Sequence, residues 1–255
     1  MNALLIAVGI ALVVAGSVSG SLLQLMRARR LHLRDREHGV AIQNLRHVAG
    51  AIGAVAGVII GALAAYYLSL NQRADLIAWV GRCSYGLIAW AAGGHVLTLV
   101  HMGLHLVREE RALRNLGDNP SLTARRLHLL QEGRRAHRHY IDFKTRDEEG
   151  MDGLIGFFAE PLLNARRDMA RLPLYGYLGT VCGILLMAQE LGQIDEASQT
   201  FKVLSSMAEG LALAFKTTLV ALVSYLPLRK AVDYMLQRVA AVEEAWRRMR
   251  EDAGE

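Results

Sequence analysis

Cysteine is nearly absent from this chain, and so are most of the patterns that carry enzyme chemistry. Two cysteines in 255 residues, Cys83 and Cys182, give neither a disulfide framework nor a zinc site of the common spacings. No Ser/His/Asp set, phosphate-binding glycine loop or pair of catalytic carboxylates stands out, and Asp147-Glu148-Glu149 reads most simply as a solvated turn. No Pro/Gly/Ser-rich linker separates a second domain, and no low-complexity tract or internal repeat occurs. No metal, cofactor or enzymatic activity is therefore expected.

Hydrophobic residues, by contrast, make up 53% of the chain. The 21% of residues that are charged sit in blocks between apolar runs, the pattern of an integral membrane protein. Each run approaches the ~20 helical residues that cross a bilayer. Five spans are expected: about Ala3–Leu25, Val48–Leu70, Ser84–Leu106, Leu172–Leu191 and Val203–Leu228. The fold class is thus all-α, a polytopic membrane protein of about five transmembrane helices with cytoplasmic helical extensions. Along the chain this gives N-terminal membrane helices over 1–107 and a basic cytoplasmic region over 108–171. A membrane hairpin over 172–228 and a cytoplasmic C-terminal helix over 229–255 follow.

Positive charge sets the expected orientation. Of the 29 Lys and Arg residues, six lie in 26–47, thirteen in 108–171 and six after Leu228. The segments 71–83 and 192–202 hold only Arg73, Arg82 and Lys202. Basic cytoplasmic loops explain the net charge of +5 without nucleic acid. The N-terminus is expected outside and the C-terminus in the cytoplasm. The first apolar run lacks a basic leader and has its positive cluster behind it, so it reads as a retained anchor rather than a signal peptide.

Local patterns refine this outline. Gly50, Gly53, Gly57 and Gly61 recur at three- and four-residue steps, so the second span presents one small-residue face for close packing. Asp118-Asn119-Pro120 breaks the chain, and Ser121 suits the N-cap of a following helix with Leu122, Leu127, Leu129 and Leu130 as a partial apolar stripe. Gly153–Asn164 is amphipathic and suits the membrane surface, although the Arg-rich helices would serve equally as extensions of spans three and four. His101 and His105 have a ligand-like i, i+4 spacing, with His95 before them and His137 and His139 further on. The simpler reading is interfacial histidines at a span end. The alternative is a membrane metallo- or haem protein using His95, His101 and His105.

The last two spans carry hydroxyls at mid-membrane depth, where polar groups usually face protein or water and mark a pathway. Gly176, Thr180, Gly183 and Met187 share one face of Leu172–Leu191, with Gly179 beside it. That glycine face admits a second helix or leaves room for water at Thr180. A threonine hydroxyl donates and accepts, so it can replace part of a cation's hydration; otherwise it bonds the carbonyl one turn back. On the last span Lys216 and Thr218 lie about 200° apart, so Thr218 is placed on the pathway and Lys216 off it. A lysine there costs about 2.5–3.5 kcal/mol on the insertion scale, so Glu209 or Glu190 is expected as a partner.

Pro173–Gly183, P-L-Y-G-Y-L-G-T-V-C-G, resembles the first signature of the MotA/TolQ/ExbB proton-channel family. Gly210–Pro227 resembles the second, in the right order and with the final proline in register. The resemblance spans about Pro173–Leu228, under a quarter of the chain. It implies a homo-oligomeric ring in the bacterial inner membrane, typically a pentamer. The ring surrounds two copies of a single-span MotB/TolR/ExbD-like partner with a membrane aspartate. The resemblance places Thr180 and Thr218, with Thr217 beside them, opposite that acid. Flow of H⁺ or Na⁺ then turns ring against partner as a molecular motor. A non-conducting scaffold with the same fold is a further alternative. The sequence departs from the family at Leu213, where some relatives carry glutamate, and at Lys216.

Overall fold

An apolar run in lipid has to satisfy every backbone N–H and C=O within itself, and the α-helix does so. The computed structural model describes residues 2–42, 44–69, 76–114, 121–136, 140–192 and 200–254. These form the helices α1 (Asn2–Glu37), α2 (Leu45–Ser69), α3 (Leu76–Arg114), α4 (Leu122–Ala136), α5 (Tyr140–Met169), α6 (Leu172–Leu191) and α7 (Thr200–Gly254). There is no strand among the described residues. Five helical stretches are long and apolar enough to cross a membrane, so this is a multi-pass helical membrane protein. The Asp118-Asn119-Pro120 break, His137 and His139 lie outside the described residues.

The helices overrun the expected spans because their polar ends continue the same backbone ladder. The first runs on to Glu37, the third from Leu76 to Arg114, and α7 through Pro227 to Gly254. Pro227 can donate no hydrogen bond to the turn before it, yet the helix continues. The chain clusters into two compact units, each assembled from non-contiguous segments.

The first unit comprises Met1–Met26, His47–Val96 and Asp168–Arg229. Glycine sets its helix separations. A side chain on Gly53 or Gly57 would overlap the backbone at Gly20 or Gly16 of α1, and one on Gly61 would overlap Leu12. Ser21 adds a hydrogen bond to the Gly50 carbonyl at 3.2 Å. The glycine face expected on the second span is therefore matched by glycines on the first. Arg82, within α3, stacks on Tyr67 at 4.9 Å from the ring centroid.

The second unit comprises Arg27–Arg46, Leu97–Arg167 and Lys230–Glu255. Its core is apolar, with Leu97, Met102, Leu106, Leu122, Phe157, Phe158, Leu162 and Trp246 fully buried. Gly153–Asn164 is therefore part of the 30-residue α5, and its apolar face fills this core rather than lying free along a membrane surface. Ser121 caps α4 as expected, accepting the Ala124 N–H at 3.1 Å.

Buried charge was not anticipated in this unit. Glu109 accepts the Leu122 N–H at 2.9 Å and the Thr123 N–H at 2.8 Å, satisfying two donors of the first turn of α4. Thr123 donates its hydroxyl to Glu109 and accepts the Trp246 indole N–H at 3.1 Å, tying α3, α4 and α7 together. Asp147 is buried and forms an ion pair with Arg126, and Arg250 lies 3.6 Å from it. The expected solvated turn at 147–149 is thus helical, with only Glu148 and Glu149 exposed. On α4 the stripe is partial: Leu122 and Leu130 are buried, Leu129 is exposed, and Thr123 and Arg126 share the buried face.

The two glycine environments of α2 give a paired test. Gly57→Ala should lower stability by about 1–3 kcal/mol through overpacking against α1. Gly50→Ala meets nothing within 4 Å and should be neutral or stabilising, because alanine favours helix. Thermal unfolding in detergent, read by intrinsic fluorescence, compares the two.

Candidate functional site

Two helices of the first unit build the site, and small residues let them meet. Pro173 lies in the first turn of α6, where its missing N–H costs little. Thereafter Gly176, Gly179 and Gly183 are buried against α7. Opposite them lie Gly210, Ala214, Thr217 and Ala221, spaced by four, three and four residues along one face. A side chain on Gly176 would meet Ala221, one on Gly179 would overlap Thr217, and one on Gly183 would meet Gly210 and Ala214. The three glycines expected on the pore face are thus the seam of the α6–α7 hairpin.

Thr217 sits in the middle of this seam with no exposed surface. Its hydroxyl is spent within its own helix, 2.9 Å from the Leu213 carbonyl and 3.1 Å from that of Ala214. This is the back-bonding that membrane threonines commonly adopt.

Thr180 and Thr218 stand at the edge of the seam, both partly exposed. Their hydroxyl oxygens lie 2.5 Å apart, across 38 residues of chain. Thr180 also lies 3.2 Å from the Gly176 carbonyl and 3.1 Å from the Ala214 carbonyl. Thr218 reaches the Gly176 carbonyl at 3.5 Å. Each hydroxyl has one proton and two acceptor positions. A consistent arrangement has Thr218 donating to Thr180 and Thr180 donating to a carbonyl. Both protons are then used, while one acceptor position on Thr180 and two on Thr218 stay open. Chemically, the pair can receive a proton donor or hold a cation.

Lys216 is exposed on the outer face of α7, beside the exposed Phe215 and Leu219. The expected ion pair with Glu209 or Glu190 is not formed among the described residues. Glu209 lies seven residues earlier on the same helix, about 10 Å along its axis, beyond direct contact. Cys83 and Cys182 are both free, Cys182 being buried.

A second polar cluster lies in the other unit. Asp35, His101 and His105 are all buried and converge within 4.8 Å. His95 is not a member. The histidines are therefore core residues rather than interfacial ones. Asp35 gives little signal in the sequence because it sits among arginines in a segment that reads as a loop; a three- and four-residue register carried on from the first span keeps it helical.

The seam itself is testable by a double-mutant cycle. Gly179→Ala should destabilise the hairpin, and Thr217→Gly should remove the obstacle it meets. We expect a coupling of about 0.5–3 kcal/mol between the two, the range for residues in direct contact, measured by thermal unfolding of the single and double variants.

Comparison with known proteins bears on this hairpin. A search of curated proteins and a search of solved structures return no match. The profile of one family does match, over residues 168–248, about a third of the chain and inclusive of α6 and the membrane part of α7. The region that holds Thr180, Thr217 and Thr218 is therefore similar to the MotA/TolQ/ExbB proton channel family.

Proposed function

We propose that this chain is the ring-forming subunit of a membrane motor driven by H⁺ or Na⁺, and not an enzyme. The observation that carries this reading is the Thr180–Thr218 pair, part-exposed at the edge of the hairpin with unused acceptor positions. A protonated carboxylic acid brought to that edge finds acceptors for its proton, and a cation finds oxygens to replace water. The chain's resemblance to its family supplies the rest: a homo-pentamer around two copies of a single-span partner with a membrane aspartate.

The exposed faces of the first unit support assembly. Lys216 has no ion-pair partner within the chain, among the described residues, and stands between Phe215, 68% exposed, and Leu219, 62% exposed. A lysine facing lipid there carries an insertion cost of about 2.5–3.5 kcal/mol. A neighbouring subunit or a water-filled route relieves it. The distribution of Lys and Arg supports a bacterial inner-membrane protein with its N-terminus outside and its C-terminus in the cytoplasm. The metallo- or haem-protein alternative built on His95, His101 and His105 loses its set, since His95 is not in the buried cluster.

The test begins with the intact chain purified from native membranes together with any one-span protein that carries a membrane aspartate. The complex is reconstituted in vesicles, and flux is followed under an imposed H⁺ or Na⁺ gradient. Thr180→Val and Thr218→Val each keep the side-chain shape and remove the hydroxyl. Each should cut flux by roughly tenfold to a hundredfold, the equivalent of one hydrogen bond to a charged group, with ring size unchanged. Thr218→Ser should retain most of it. Undiminished flux in both valine variants, or no flux in the parent complex, would leave only a scaffold.

A further inference from the structure

The buried Asp35–His101–His105 cluster is independent of the hydroxyl pair, and the ion-pathway reading makes no use of it. Asp35 comes from the last turns of α1, and both histidines come from one face of α3, four residues apart. All three side chains are at most 1% exposed. Nε2 of His101 lies 3.1 Å from Oδ1 and 2.9 Å from Oδ2 of Asp35, and Nε2 of His105 lies 3.2 Å from Oδ1. The two Nε2 atoms are 3.2 Å from each other.

That last distance is the informative one. An ionised carboxylate only accepts, and a neutral imidazole offers one N–H and one lone pair. If both Nε2 atoms carry hydrogen, two N–H groups face each other at 3.2 Å. If one does not, its lone pair faces the Asp35 oxygens. Neither Nδ1 has a hydrogen-bond partner among the described residues, so no relief comes from the other side of the rings. A dication among the three ligands removes the conflict between the two Nε2 atoms and Asp35, because all of them then present lone pairs to it, while each Nδ1 keeps its hydrogen.

The spacing agrees. Asp35 Oδ1 and the two Nε2 atoms form a triangle with edges of 3.1, 3.2 and 3.2 Å. Ligands at about 2.0–2.1 Å from a tetrahedral zinc ion are about 3.3 Å apart, so the triangle is close to one face of such a site. Two imidazoles and a carboxylate suit a first-row transition metal rather than calcium or magnesium, whose sites are built from oxygens. Phe157 packs edge-on to His105 at 5.2 Å between ring centroids and forms an apolar wall.

We propose that Asp35, His101 and His105 bind a divalent transition-metal ion, zinc being the best fit, that clamps the end of α1 to α3. Three protein ligands leave a fourth position for water.

Full-length protein, purified without chelator and without an affinity tag that binds metal, should contain about one zinc per chain by elemental analysis. After stripping with a chelator it should rebind zinc or cobalt(II) at one site, with a rise in unfolding temperature and the visible ligand-field bands of a tetrahedral cobalt site. His101→Asn and His105→Asn should each weaken binding by roughly a hundredfold or more, while the exposed His128→Asn should leave it unchanged. Stripped wild-type protein that stays folded and takes up neither ion would overturn the proposal. So would metal retained at full stoichiometry by both histidine variants. If those variants fail to fold, the cobalt titration of the wild-type chain decides alone. None of these readouts involves ion flux, so the outcome is separable from that of the motor reading.

Discussion

The distance between two helices in lipid is the constraint on which the first unit depends. Lipid tails are as apolar as the helices, so burial alone does not drive α6 onto α7. Contact at backbone range, with its dispersion and carbonyl contacts, must do so, and only residues without bulk permit it. Gly176, Gly179 and Gly183 provide that access. The consequence is chemical as well as mechanical. With the helices this near, Thr180 reaches past its own turn to the Ala214 carbonyl of α7 and to Thr218. A larger residue in the seam would separate the hydroxyls long before it unfolded the helices.

The second unit is held by a different rule. Its buried charges are each given a partner, because an unpaired one costs several kcal/mol while the pair itself adds little. Asp147 has Arg126 and Arg250, and nearer the surface the part-exposed Glu110 pairs with Arg238. Glu109 closes the first turn of α4 and, through Thr123, reaches the Trp246 indole. These links join helices far apart in sequence. Their value is in fixing which faces meet, a task that an apolar core of leucine and phenylalanine performs only loosely.

Much of this was legible in the sequence, and the reasons differ by region. Membrane helices announce themselves by length and apolarity, so all five spans were placed, with errors confined to their ends. The ends run long because a helix leaving an apolar layer has no reason to stop until a cap or a break intervenes; Ser121 and Pro173 supply such signals, and the stretch after Leu228 does not. The glycine steps of α2 and the hydroxyls of the last two spans were visible as periodic exceptions in apolar runs. The separate roles of Thr217 and Thr218 were not, since a step of one residue is about 100° of rotation and only the position of the neighbouring helix decides which of them is sealed. The burial of Asp35 and Asp147 is not legible for a related reason. Both lie in charge-rich stretches that resemble solvated segments, and nothing local tells a paired buried acid from an exposed one.

The same geometry bears on where a titrating acid for the pathway can come from. Glu190 lies ten residues beyond Thr180 on α6, and Glu209 lies nine residues before Thr218 on α7. At helical rise these are about 15 Å and about 14 Å from the hydroxyls along the axes, and both lie toward the same end of the hairpin. Leu213, one turn before Thr217 on the same helix, is apolar and offers none. Among the described residues, the hairpin therefore presents hydroxyl acceptors without a carboxyl beside them. Under the proposed function, that division is what allows relative motion. If the acid were fixed on the same helices as the hydroxyls, ion binding and release would occur within one rigid body and could not displace anything. An acid carried by a separate polypeptide must change its position against the ring as it gains and loses its charge, and the open acceptor positions on Thr180 and Thr218 are where its neutral form can rest.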